Sequence, residues 1–461
     1  MLLECATTDW LNTKPVFYNE KTGAISHNMT EVIDYSNFEF SPEGLRNYLK
    51  FGYTVYGQTM VNNVKCLDWC SQITKKPDGS IEVSKSGDIA LSLWNPGRVN
   101  GTEVFDNLVE CTREWAMNRD EESDIVLPLS GGLDSRILAY SLKNMKNAKA
   151  FSYGLSADQS ISFEVVKAEQ VAKSCNIEWN RIELNEYLKQ GYIDEWYDIY
   201  GPAIHLHGMY QLEFFKKIKE KNAHKKLGML SGIVGDVWAG NVRVPAINNP
   251  GDLAYLGYTH GISVEDDVCL LKESNDARNA FFEAHSVELR EESFRVLYTI
   301  RLKMMLLRYL LRTPEYLGMD AWSPFMVPDI AMSILNLDWS LKTDRVWQHK
   351  ELDKLDLDLG WKKKECDYNI VIDIETLRKN PVRPLDVELL SSVIKREYVE
   401  YINSTIRKKP IRILPAKPKT VSNVYNKAIR RYNSDIEKAL ISYEILGSIE
   451  KLMLDVKKYN S

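Results

Sequence analysis

Residues 124–136 read Asp-Ile-Val-Leu-Pro-Leu-Ser-Gly-Gly-Leu-Asp-Ser-Arg, an apolar run that stops at Ser130, Gly131 and Gly132 and gives way to an amphipathic stretch. That order predicts a strand, a tight loop and a helix. Adjacent glycines open backbone conformations closed to other residues and let a ligand come close. The free N–H groups of the next helix then point at that ligand, and the helix dipole favours an anion there. Ser130 and Ser135 add hydroxyl donors. Asp134 adds a carboxylate suited to Mg²⁺, which binds hard oxygen ligands and phosphate together. The loop has the chemistry of a pyrophosphate cradle. It is not the familiar phosphate loop, because Gly-Lys-Ser and Gly-Lys-Thr occur nowhere in the chain.

The surroundings repeat the pattern. A helix over 104–117 leads into the loop strand. Further strands are expected over 148–153, 177–184 and 227–231, with a long helix over about 162–175. Strands alternating with helices predict an α/β fold, a parallel sheet with flanking helices, whose ligands sit at the carboxyl ends of the strands. Residues 1–95 read instead as a small, mainly β domain. Val16-Phe17-Tyr18, Ile81-Glu82-Val83 and Ile89-Ala90-Leu91 are expected strands separated by turn signals, with one short helix over 41–51. Residues 96–400 form the main domain. Within it, 280–335 is mainly helical, and Phe294, Leu297, Tyr298, Met304, Met305 and Leu311 keep helical spacing as core. Residues 401–461 make a basic, helical C-terminal extension. No acid lies between Glu400 and Asp435, while Arg407, Lys408, Lys409, Arg412, Lys417, Lys419, Lys427, Arg430 and Arg431 do. Residues 434–437 have the form of a capping box, opening an amphipathic helix with Ile436, Leu440, Ile449 and Met453 on one face.

Composition excludes several classes. With 44% apolar and 27% charged residues the chain has the balance of a globular protein. No apolar run approaches the ~20 residues a membrane span needs, and no secretory signal is visible. The seven cysteines are scattered, which fits reduced thiols in a cytoplasmic protein. A net charge of −5 gives no global drive toward nucleic acid. His205 and His207 lie two apart and would share a face on a strand. No third ligand stands near them in the sequence, so the pair alone makes no metal site.

Ser-Gly-Gly-Leu-Asp-Ser is the signature of the N-type ATP pyrophosphatases, and other stretches resemble the asparagine synthetase family. Residues 231–240, Ser-Gly-Ile-Val-Gly-Asp-Val-Trp-Ala-Gly, resemble its second ATP motif, with Gly235 and Asp236 at the Gly-Asp pair whose aspartate binds Mg²⁺. Residues 312–325 match without a gap a family segment carrying an arginine, an acid and Pro-Phe, here Arg312, Asp320, Pro324 and Phe325. The family usually has glutamate at Asp320, arginine at Trp322 and aspartate at Val327. These departures bear on the acceptor and leave the ATP motifs untouched.

The resemblance implies an adenine nucleotide alpha hydrolase-like fold and an AMP-forming carbon–nitrogen ligase. Ser130, Gly131, Gly132, Asp134 and Ser135 would hold the outer phosphates of ATP, and Asp134 and Asp236 would hold Mg²⁺. Leu129 and Tyr153 would neighbour the adenosine by position. Asp320 would be the acid or base beside the acceptor, and Trp322 a flat apolar wall there. The family also uses a lysine, for which Lys362 to Lys364, Lys417 and Lys419 all qualify. Arg136 faces either the phosphates or solvent. Full-length members begin with a glutamine-hydrolysing cysteine behind Met1, but here Leu2 follows Met1 and Cys5 is internal, without the α-amine that would serve as its base. The N-terminal part then reads as a truncated glutaminase-like remnant. Ammonia or an amine would come from solution or a separate partner, and a homodimer is compatible with the sequence. The acceptor would be a small-molecule carboxylate, with a sugar acid of surface-polysaccharide synthesis favoured over a natural product or a peptide. Two rival expectations are a non-catalytic ATP-binding scaffold and a tRNA-modifying ATP pyrophosphatase.

Overall fold

A computed structural model describes residues 2–120, 122–257, 264, 266–359, 366–412 and 422–461. At its centre five strands, β7 (Ser123–Pro128), β8 (Ala148–Ser152), β9 (Glu178–Arg181), β10 (Lys226–Leu230) and β11 (Asp320–Trp322), form one sheet in the order β11-β10-β7-β8-β9. Every pairing is parallel. The reason lies in the strands. Ile125, Val126 and Leu127 of β7 and Leu227, Met229 and Leu230 of β10 are all buried, as strands covered on both faces must be. Helices Leu133–Ser141 and Phe163–Ser174 make the crossovers from β7 to β8 and from β8 to β9.

From β7 the chain steps outward to β8 and β9, whereas β10 and β11 lie on the other side of β7. The order therefore reverses between β7 and β10. In open parallel sheets the crevice beyond the carboxyl ends at such a reversal is where ligands bind. The loops after β7 and β10 are the two stretches, at 130–136 and 231–240, that resemble ATP motifs.

Before this sheet stand two small antiparallel ones. The first is β1 (Cys5–Thr7), β5 (Ser71–Lys75) and β6 (Ile81–Lys85), in the order β1-β5-β6. The second is β2 (Phe17–Asn19), β3 (Ile25–Ser26) and β4 (Val64–Cys66), in the order β3-β2-β4. Helix Pro42–Phe51 begins at Ser41, whose hydroxyl accepts from the Gly44 N–H, the usual N-cap arrangement. The expected strand at Ile89-Ala90-Leu91 is instead a short helix, Ile89–Leu93. Asp88 caps it by accepting from the Ala90 N–H and is gripped by the Arg301 guanidinium at 2.7 and 2.8 Å.

The helical expectation for 280–335 holds in helices Glu292–Leu307, Tyr309–Tyr316 and Pro328–Leu335, but β11 interrupts it. Met304 and Met305 are core, both buried. At the C-terminus helix Ser422–Tyr459 runs unbroken through 434–437, so the capping-box pattern there starts nothing. Ile429 and Ile436, before and within that pattern, are both buried, and packing of a continued apolar face outweighs the local cap signal. Lys417 and Lys419 of the basic stretch, and Lys362 to Lys364, lie outside the described residues. No described helix is long and apolar enough to cross a membrane.

Candidate nucleotide site

The loop after β7 is held from several sides. Gly131 has φ +74°, and a Cβ there would sit 2.5 Å from the Lys167 Cβ, so both conformation and space demand glycine. Gly132 is the N-cap residue of helix Leu133–Ser141. Its N–H donates to Ser130 Oγ at 3.3 Å, and its carbonyl accepts from Ser135 Oγ at 2.9 Å. Arg136 faces neither phosphate nor solvent. Its Nε donates to the Gly131 carbonyl at 2.9 Å and its Nη1 to the Leu357 and Asp358 carbonyls at 3.1 and 2.7 Å. The guanidinium thus buttresses the loop from behind.

Beyond the strand ends opens a cavity of about 1000 Å³. Leu129, Ser130, Gly132, Asp134, Ser135, Tyr153 and Asp236 all line it. Gly131 and Gly235 shape it instead: a Cβ on Gly235 would lie 2.8 Å from the Phe325 ring and 2.9 Å from the Asp134 Cγ. The Pro-Phe segment therefore belongs to the site as a support. Phe325 is fully buried, its ring backs Gly235, and its carbonyl accepts from Trp238 Nε1 at 3.0 Å. The Tyr153 hydroxyl accepts from Gln211 Nε2 at 2.9 Å.

The carboxylates set the electrostatics. Asp134 is 8% exposed and accepts from Gln348 Nε2 at 2.7 Å. Burial, and then the charge of Asp236, push its carboxyl up to about 7. A buried carboxyl raised by a second carboxylate across the same cavity is a fit for a divalent cation. Buried polar atoms with no protein hydrogen bond among the described residues include Gln348 Oε1 and the hydroxyl of cavity-lining Thr299, and both leave room for ligand or water contacts.

Asp320 does not join this group. It stands at the first residue of β11, paired in register with Gly228, two residues before the carboxyl end of β10. Its side chain is 72% exposed and meets Arg119 Nη1 at 2.8 Å. Asp320 and Trp322 share a sheet face because strand side chains alternate. On that face Trp322 stacks on Trp115 at 5.1 Å and Arg119 lies over Trp115 at 4.8 Å. Neither Asp320 nor Trp322 lines the cavity, so the structure does not bring the expected acceptor acid and apolar wall together with the residues of the β7 loop. Arg312 is half exposed and pairs with Glu315.

Several cavity residues escape the sequence reading. Lys303 lines the cavity; burial holds its ammonium down to about 8, against the pull of Asp236. Its signal in the sequence is slight, a lysine between Leu302 and Met304 two residues after Arg301. Arg345 lines it too, and Asp344 and Arg345 both have positive φ, 53° and 54°. Backbone held in that region by bulky residues costs of order 1 kcal/mol and often accompanies function. Arg243 completes the basic lining, with its guanidinium on Glu292 at 2.9 and 3.2 Å.

Comparison with known proteins gives a match to the asparagine synthase family model over residues 120–352. Among solved structures, an NH3-dependent NAD synthetase from Campylobacter jejuni matches with 13% identity over 45% of this chain and 96% of its own, at a TM-score of 0.25. No curated protein sequence matches.

Proposed function

The chain belongs to the asparagine synthase family, and from that premise we propose that it is an AMP-forming ligase that joins a substrate carboxylate to ammonia or an amine. The family match supports ATP-dependent ligase chemistry in general. The observation that carries the finer reading is the pair Asp134 and Asp236, one after each strand flanking the reversal of strand order, on the rim of one cavity.

In this reading the Gly131-Gly132 loop and Ser130 and Ser135 bind the β and γ phosphates through N–H and hydroxyl donors. Asp134 and Asp236 would hold Mg²⁺, which when bound neutralises phosphate charge as pyrophosphate departs. Leu129 and Tyr153 flank the adenosine. A carboxylate oxygen of the substrate attacks the α phosphorus, the bond to the β-phosphate oxygen breaks, and pyrophosphate leaves. The amine nitrogen then attacks the acyl carbon, loses a proton, and AMP departs. Lys303 supplies the cation for the oxyanion formed in that second step, a role for which electrostatic stabilisation is the usual source of rate. We further propose that the acceptor is a sugar acid.

The test is release of AMP and pyrophosphate from ATP and Mg²⁺ across a panel of sugar acids, amino acids and peptides, each with ammonium or an amine. AMP formation stimulated by one acid, with the amide as second product, is the expected result. ADP and phosphate as products, or ATP binding with no turnover for any pair, would overturn the ligase assignment; the latter leaves a nucleotide-binding scaffold.

A further inference from the structure

We propose that His205, His207 and Glu444 form a divalent-metal site of the zinc class, separate from the nucleotide site, that ties the C-terminal helix to the loop before helix Met209–Lys221. One ligand atom from each of the three lies within 4.8 Å of the other two. His205 and Glu444 are 3% and 7% exposed. Two imidazoles and a carboxylate are the donor set of a three-ligand zinc site whose fourth position takes water.

The fold explains how residues so distant in sequence meet. The histidines do not share a strand face. His205 is the N-cap residue of the short 3₁₀ turn Leu206–Gly208, and His207 is its middle residue. Helix Ser422–Tyr459 packs directly on this turn. One turn beyond Glu444, a Cβ on Gly447 would lie 2.9 Å from Leu206 Cδ1, and Ser448 Oγ donates to the Ile204 carbonyl at 3.2 Å. That close approach is what sets Glu444 beside the histidines.

The histidine orientation is fixed as a ligand requires. His205 Nδ1 lies 2.8 Å from the Gly52 carbonyl oxygen, an acceptor, which places the proton on Nδ1 and makes Nε2 the ring's ligand atom in the proposed site. Metal-binding histidines commonly use their second nitrogen in this way. Gly52 has φ +76°, and a Cβ there would meet the ring at 2.6 Å, so the ring is wedged in place. His207 is edged by Tyr210 and Tyr309, whose hydroxyls bond each other at 2.9 Å. Tetrahedral zinc with bonds of ~2.0–2.1 Å places its ligands about 3.3 Å apart, so a cluster whose ligand atoms lie within 4.8 Å of one another closes by at most about 1.5 Å on binding. A carboxylate as buried as Glu444 is costly to keep charged without a cation, and the ion supplies one.

The experiment uses the full chain, purified without a histidine tag. Zinc content is measured after exhaustive dialysis, and affinity by competition with a chromophoric chelator. Cobalt substitution then reports the ligands through its visible spectrum. Close to one zinc per chain is expected, with an intense four-coordinate cobalt spectrum lacking a thiolate charge-transfer band, which sets aside the cysteines. His207→Gln and Glu444→Gln should each weaken binding by at least about 100-fold while retaining the far-UV circular dichroism of the parent. Added zinc should raise the melting temperature of the parent and not of the variants. The double variant Asp134→Asn, Asp236→Asn should keep its zinc, which separates this site from the nucleotide site. Absence of stoichiometric zinc, binding that survives both single variants, or loss of zinc in the double variant would overturn the proposal.

Discussion

At the carboxyl rim of the central sheet, Asp134 and Asp236 line one cavity and the charge of one raises the carboxyl of the other. At the opposite rim Asp124, second residue of β7, takes the ammonium groups of Lys149 and Lys225, each at 2.7 Å, and Asp320 takes the Arg119 guanidinium. Burial alone would raise the Asp124 carboxyl, but the two lysines outweigh it and hold it below the ordinary range. The same residue type thus serves two ends. One rim neutralises its acids with the chain's own cations and gains stability. At the other, the carboxyl of Asp134 stays raised despite the Arg345 charge, and in the proposed reading a ligand's cation and phosphates complete the site.

The largest effect expected from this contrast is on catalysis at the carboxyl rim. Asp134→Asn and Asp236→Asn should each cut AMP formation by roughly 10³-fold, measured as AMP released at saturating ATP. Asp134→Asn retains an oxygen for the Gln348 amide and removes a buried charge, so chemical denaturation should find it unchanged or more stable by about 1–2 kcal/mol. Loss of activity with gain of stability marks a site; loss of both would break the comparison. Lys303→Gln should come next, with a fall of about 10²-fold in turnover and little change in ATP affinity.

How much of this was readable from the chain depends on the distance over which each signal acts. The β7 loop announces itself because strand, glycines and helix start are consecutive. Residues 231–240 do the same after β10. Phe325 was matched as motif but not understood, since its contact with Gly235 spans two distant segments. Lys303 was hidden by its own helix: periodicity files it among core neighbours, and only the fold opens a cavity at its end. Asp320 lies away from the cavity for the converse reason. Its motif is local, but β11 has three residues and its place at the sheet edge is set by pairing with β10. The short helix Ile89–Leu93 turned on a single Asp88 cap held by Arg301, 213 residues away. His205 and His207 were seen as a pair, and their third partner came from the C-terminal helix.

The amino rim sharpens the comparison through stability. Asp124→Asn should leave Lys149 facing an amide and cost about 2–3 kcal/mol, less than a fully buried pair because Lys225 is partly exposed, with AMP formation per folded molecule unchanged. The pH dependence follows from the lowered carboxyl. In the unfolded chain Asp124 protonates near the ordinary ~3.9, and in the folded chain only at lower pH. The unfolded state therefore binds more protons in between, so stability is complete above about pH 4 and falls as pH drops through the lowered folded value. Urea midpoints measured down this window should decline less steeply for Asp124→Asn than for the parent.

The smallest effect tests the placement of Asp320 on β11. Asp320 is 72% exposed and its partner Arg119 is already stacked on Trp115, so the ion pair is worth less than about 1 kcal/mol. Asp320→Asn should shift the denaturation midpoint by no more than that and leave AMP and amide formation at the parental rate. A large loss of amide formation with pyrophosphate release intact would instead return Asp320 to the acceptor. The edge strand would then have to move during turnover, carrying a group from the outer face of the sheet to the rim beyond Leu230, and the division of labour between the two rims would hold only for the resting protein.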